Sequence, residues 1–111
     1  MWRRDQIDFR LREDLCAGSV VTLEVLTPAG IVAIMGEPED VDRTLLVRGV
    51  HMHADRAHQI GTANLGVIAQ ALMQRYDYDE IVITGARRES GRRAGRFPRE
   101  IRYRRRAEPA A

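Results

Sequence analysis

The chain contains no lysine, and all 18 of its basic residues are arginine. Planar guanidinium forks bind phosphate oxygens two at a time and stack on bases, whereas an ammonium acts only as a point charge. Cysteine is almost absent too. Cys16 stands alone, which excludes an internal disulfide, fits a reducing compartment such as the cytoplasm, and suits a small buried apolar side chain. No apolar run is long enough to span a bilayer, and no basic-then-apolar leader is present, so neither a membrane partner nor a secretory signal is expected. Aromatic residues make up 5% of the chain. Histidine is limited to three residues, all within HMHADRAH, from His51 to His58.

What is present is ordinary for a globular domain: 44% hydrophobic and 31% charged residues over 111 positions. That length supports one real core and not two, so 1–111 is read as a single domain. The charge is unevenly divided. Residues 1–86 carry 8 Arg against 13 Asp and Glu, whereas residues 87–106 carry 10 Arg against 2 Glu. A net charge of +2 therefore conceals an acidic body and a strongly basic C-terminal fifth.

Hydrophobic periodicity supplies the elements. Ile7, Phe9 and Leu11 alternate with Asp8, Arg10 and Arg12, which predicts a half-buried strand. Val21, Leu23 and Val25 share one face of a second strand, and the turn PAG leads from it into IVAIM as a hairpin. Glu37 to Asp42, with Pro38, reads as a polar loop. In RTLLVRGVHMH, strict alternation puts Leu45, Val47, His51 and His53 on one face, and Leu46, Val50 and Met52 on the other. GTANLGVIAQALMQRY predicts a helix whose inner face is Leu65, Ile68, Ala69, Leu72, Met73 and Tyr76, with Thr62 or Asn64 as its cap. EIVIT and REIRYRR follow as strands, Ile101 and Tyr103 facing inward. The expected fold is α+β: a mostly antiparallel sheet of about five strands with one main helix packed on it.

Two segments carry chemistry. His51 and His53 point the same way on a strand, and His58 could return to join them. Three histidines with one open position is a geometry that catalytic zinc uses. The H-x-H-x-D part of the segment looks like the metallo-β-lactamase signature, but there the next histidine directly follows the aspartate. Here Arg56 and Ala57 intervene, and no distant ligand cluster exists. No bound metal and no cofactor are therefore expected. Acid–base work by one histidine and a plain structural role remain as the two other readings. The second segment is GARRESGRRAGRFPREIRYRRR. Gly85, Gly91 and Gly95 let the backbone approach a ligand, and Arg87, Arg88, Arg92, Arg93, Arg96 and Arg99 can fork onto phosphate. Phe97 and Tyr103 could stack bases. The G-x-x-x-x-G-K spacing of a triphosphate loop is missing.

The order helix, EIVITG, then R-E-S-G-R-R-A-G-R-F-P-R and a final strand is similar to the ends of C-terminal toxin domains of bacterial polymorphic toxins. The likeness covers about residues 61–103. It implies a metal-independent ribonuclease with a barnase-like sheet, cleaving RNA through its own 2′-OH, and an immunity protein as partner. Under that resemblance Arg87, Arg88 and Ser90 match the loop, and one of His51, His53 or His58 supplies the base, His53 first.

The expectation is thus an RNA-directed nuclease or toxin-like domain, RNA being favoured over DNA, with Arg92, Arg93, Arg96, Phe97, Arg99 and Tyr103 holding the nucleic acid. A non-catalytic nucleic-acid-binding or regulatory module is the alternative. So is an interaction domain whose acidic body and basic tail dock on an acidic protein, with self-association left open.

Overall fold

The computed structural model describes residues 1–54, 60–85, 87–88 and 100–107, with only the backbone at 87–88. Within these residues lie seven strands and one long helix: β1 (Asp8–Leu11), β2 (Val21–Thr27), β3 (Gly30–Val41), β4 (Thr44–Ala54), α1 (Gly61–Tyr76), β5 (Glu80–Thr84), β6 (Arg87–Arg88) and β7 (Glu100–Arg104). The sheet runs β1-β2-β3-β4-β5-β7, and β6 pairs with β4 beyond the end of β5. All contacts are antiparallel except those of β4 with β5 and β6. A parallel neighbour needs a crossover, and α1 supplies it. The expected α+β architecture holds, with more strands than the five anticipated.

The sheet buries one face against α1. Phe9, Val25, Val32 and Ala54 pair in a single row across β1 to β4, and all four are buried. Ile68 and Ala71 of α1 belong to the same cluster. A second row, Leu45, Ile81 and Tyr103, crosses β4, β5 and β7 and meets Ala69 and Met73. Positions 68, 71 and 72 lie on one side of the helical stripe and 69, 72 and 73 on the other. Leu72 accordingly packs against both clusters.

Four local expectations change. The segment 37–42 is no loop: β3 continues to Val41, paired with β4 through Val41↔Thr44. Partner β2 ends opposite Gly36, so Pro38 lies on a stretch of β3 open on one side, where a missing N–H costs nothing. Neither Thr62 nor Asn64 caps α1. The helix starts after Ile60 without a side-chain cap, and the Asn64 Oδ1 instead accepts the Trp2 N–H at 2.9 Å. At the other end Asp77 adopts the left-handed conformation, φ 61°, that glycine usually supplies. Tyr76 lies at the margin of the inner stripe, 47% exposed, its ring tilted against that of Phe9 at 6.1 Å.

The fourth change concerns β4 itself. Met35 pairs with His51 and Glu37 with Arg48. Two steps along β3 therefore match three along β4. The extra residue makes a β-bulge at Gly49, whose φ of 61° suits glycine. Alternation changes phase there: Leu45 and Val47 face α1 before the bulge, and Val50 and Met52 after it. His51 and His53 share a face with each other, but it is the face opposite Leu45 and Val47.

Candidate active site at the kink of β4

Residues three apart on a regular strand point to opposite faces. Because β4 carries one extra residue, Arg48 and His51 instead both emerge on the face away from α1. Glu37 is the register partner of Arg48, and Met35 that of His51, so these cross-strand neighbours face the same way. The result is an open cleft of about 560 Å³ lined by Glu37, Arg48 and His51, with Val20 and Met35 as its apolar wall. Gly36 and Gly49 also line it; a Cβ at Gly49 would meet nothing within 4 Å, whereas one at Gly36 would point to the α1 face, against Val47 and Val50. The 3-10 turn Glu13–Leu15 closes off the neighbouring end of this face. Thr22, the register partner of Met35, is buried there and donates its hydroxyl to the Leu15 carbonyl at 3.4 Å.

The charges of the cleft are partly engaged. Arg48 Nη2 lies 2.6 Å from Glu39 Oε2, and both side chains are about half exposed. An exposed pair of this kind is worth about 0–1 kcal/mol. A phosphate entering the cleft could therefore draw Arg48 away at little cost. His53 is exposed beside Ala33, its partner on β3. The next residue in that row, Glu24, lies two strands away, about 9.6 Å at the usual strand spacing, too far to orient the His53 ring. Glu24 is already committed to Arg10 at 2.7 Å and Arg12 at 3.2 Å. Those hydrogen bonds, Arg10's foremost, hold its carboxyl below the ordinary carboxylate range.

Of the arginines anticipated for catalysis, Arg87 and Arg88 form β6, and their backbone pairs with His51 and Met52. The histidine strand and the first residues of the arginine segment are therefore direct neighbours in the sheet. Tyr103 faces α1 and packs against the cluster of Met73 and Ile81, so its ring serves the core as well as any ligand. His58, Ser90, Arg92, Arg93, Arg96, Phe97 and Arg99 lie outside the described residues.

Sequence reasoning missed Glu37 and Arg48. The signal was Gly49, since a glycine within an otherwise apolar strand marks a bulge. Among the described residues, no three or more His, Cys, Asp or Glu side chains are grouped as a metal site. No helix among them is long and apolar enough to cross a membrane. No protein-family model matches the chain, and neither does any curated protein.

Proposed function

We propose that this protein is an RNA-directed nuclease that works without a metal, with the cleft at the kink of β4 as its active site. One observation carries the reading: the bulge at Gly49 gathers a carboxylate, an imidazole and a guanidinium, Glu37, His51 and Arg48, around one open space. Transesterification of RNA needs that set. A base takes the 2′-OH proton, the 2′-oxygen attacks phosphorus, and the P–O5′ bond breaks as an acid protonates the leaving oxygen. Glu37 suits the first role and His51 the second. Arg48 holds the charge that develops on the phosphorane, and the backbone of Arg87 pairs with that of His51. His51 replaces His53 as the first choice, because it lines the cleft.

The test is incubation of end-labelled single-stranded RNA with the protein in excess EDTA. Products ending in a 2′,3′-cyclic phosphate and a 5′-hydroxyl support the reading. Intact RNA, under conditions where it binds, leaves a non-catalytic nucleic-acid-binding module in its place. That second reading is favoured by a separate arginine-lined groove on the far side of the molecule.

A further inference from the structure

A second open space lies away from the β4 kink, between α1, the N-terminal segment and β7, with a volume of about 1080 Å³. Five arginines line it, Arg3, Arg4, Arg102, Arg104 and Arg106, against one carboxylate, Asp5. We propose that this groove binds the backbone of a single-stranded nucleic acid, with the bases turned toward Trp2 and Tyr103. The site stands whether or not the cleft at β4 cuts RNA.

Its charges argue for a polyanion. Arg102 and Arg104 alternate with Tyr103 along β7, so their side chains leave on the opposite face, where each lies 3.4 Å from Glu80; they edge the groove, and Arg3, Arg4 and Arg106 are the cations left to face it. Arg106 lies past the strand end. Its guanidinium has no carboxylate partner among the described residues, and the Arg104 side chain is 80% exposed, with a long 3.4 Å contact to Glu80. Arg4 donates from Nη1 to the Arg106 carbonyl at 3.1 Å and from Nη2 to the Ala107 carbonyl at 3.3 Å, which fixes the N-terminal wall to the C-terminal one. Its remaining N–H groups are left for a ligand.

Aromatic side chains distinguish a nucleic acid from an acidic peptide. Trp2 and Tyr103 both line the groove and are both half-buried. Their inner parts pack on the two core clusters, so they offer surfaces already held in place. Base stacking on such platforms is worth about 1–3 kcal/mol per base and tolerates any sequence. A polyglutamate chain meets the same arginines but has nothing to stack.

Trp2 is the chain's only tryptophan, so its fluorescence reports on this groove alone. The experiment titrates the full chain with a short 2′-O-methyl oligouridylate, which binds like RNA but cannot be cut through its 2′-oxygen. Saturable quenching of Trp2 that weakens with salt is expected. In the combined variant Arg3→Gln, Arg106→Gln the log–log salt slope should fall by about 1.4, at about 0.7 per lost phosphate contact. Binding without any change at Trp2 would overturn the proposal, as would an unchanged salt slope in the variant. Equal quenching and equal affinity with polyglutamate would reassign the groove to an acidic peptide. The His51→Ala protein should bind as wild type does, so loss of cutting and loss of this site are separately visible.

Discussion

Gly85 and Gly49 face each other across the sheet in matching left-handed conformations, φ 62° and 61°. A Cβ on Gly85 would stand 3.5 Å from the Gly49 amide nitrogen and 3.6 Å from its Cα. The two glycines occupy corresponding places: β4 passes from pairing with β5 to pairing with β6 just where both strands bend. That shared kink turns His51 to the same face as Arg48, and everything proposed for the cleft depends on it.

Gly49→Ala tests the kink directly. The new Cβ would meet nothing within 4 Å, so the cost is conformational, about 1–2 kcal/mol for an L-residue in the left-handed region. Urea denaturation should show that loss, and cleavage should fall with it, because relaxing the bulge returns His51 to the wrong face. An alanine protein of undiminished stability and activity would mean that the bulge is incidental.

On the α1 face of β3, Gly36 tests packing. A Cβ there would lie 2.7 Å from Val47 Cγ1 and 3.3 Å from both the Arg48 carbonyl oxygen and Val50 Cγ2. Gly36→Ala should cost about 1–3 kcal/mol by overpacking. Part of that should be recovered on adding Val47→Ala, because the shortened side chain removes the closest contact. A double-mutant cycle measured by chemical denaturation gives the coupling, and strict additivity would contradict the geometry.

Acid stability should carry the mark of Asp77. Hydrogen bonds from Arg43 first and Arg105 second hold its carboxyl at about 2, below the ordinary 3.8. The folded protein thus takes up this proton at lower pH than the unfolded chain does. Its stabilising contribution is complete above about pH 4 and is lost as the pH falls toward 2. Asp77→Asn keeps a residue that tolerates the left-handed backbone but removes the charge. Thermal melts from pH 5 down to pH 2 should lose part of their pH dependence in this variant, and an identical profile would show that the ion cluster adds nothing.

Gln70 guards an edge. Its side-chain amide donates to the Arg104 carbonyl at 2.8 Å and accepts from the Arg106 N–H at 2.8 Å, satisfying the outer side of the last strand as a neighbouring backbone would. Unpaired edges invite pairing with a second chain. Gln70→Ala should therefore increase concentration-dependent association in analytical ultracentrifugation, whereas a strictly monomeric variant would show that the edge is protected by other means.

Much of the fold was legible in the residues. The hairpin at Pro28–Ala29 followed from turn chemistry between two apolar runs, and α1 from Leu65, Ile68, Ala69, Leu72 and Met73 at helical spacing. The polar stretch after Gly36 was misleading, because Glu37, Glu39 and Asp40 belong to a strand that is exposed and open on one side. Hydrophobic alternation cannot show a strand with so little to bury. The site was legible only in part. His51 was identified, but a strict two-residue period put it on the side of Leu45 and Val47. The bulge that overrides this period is set by pairing with β3, which alternation within β4 does not contain. Glu37 and Arg48 become neighbours of His51 only through that pairing.

The central claim is that Glu37, Arg48 and His51 form one metal-independent active site, and cleavage of labelled RNA in EDTA by single variants tests it most directly. His51→Ala should lose about 10²–10⁴-fold in cleavage rate, roughly 3–5 kcal/mol of transition-state stabilisation. Glu37→Gln should fall by a similar factor, the double variant should be little worse than either, and RNA affinity should stay near that of wild type. Full cleavage by both single variants, or none by the wild-type protein while it binds RNA, would contradict the account.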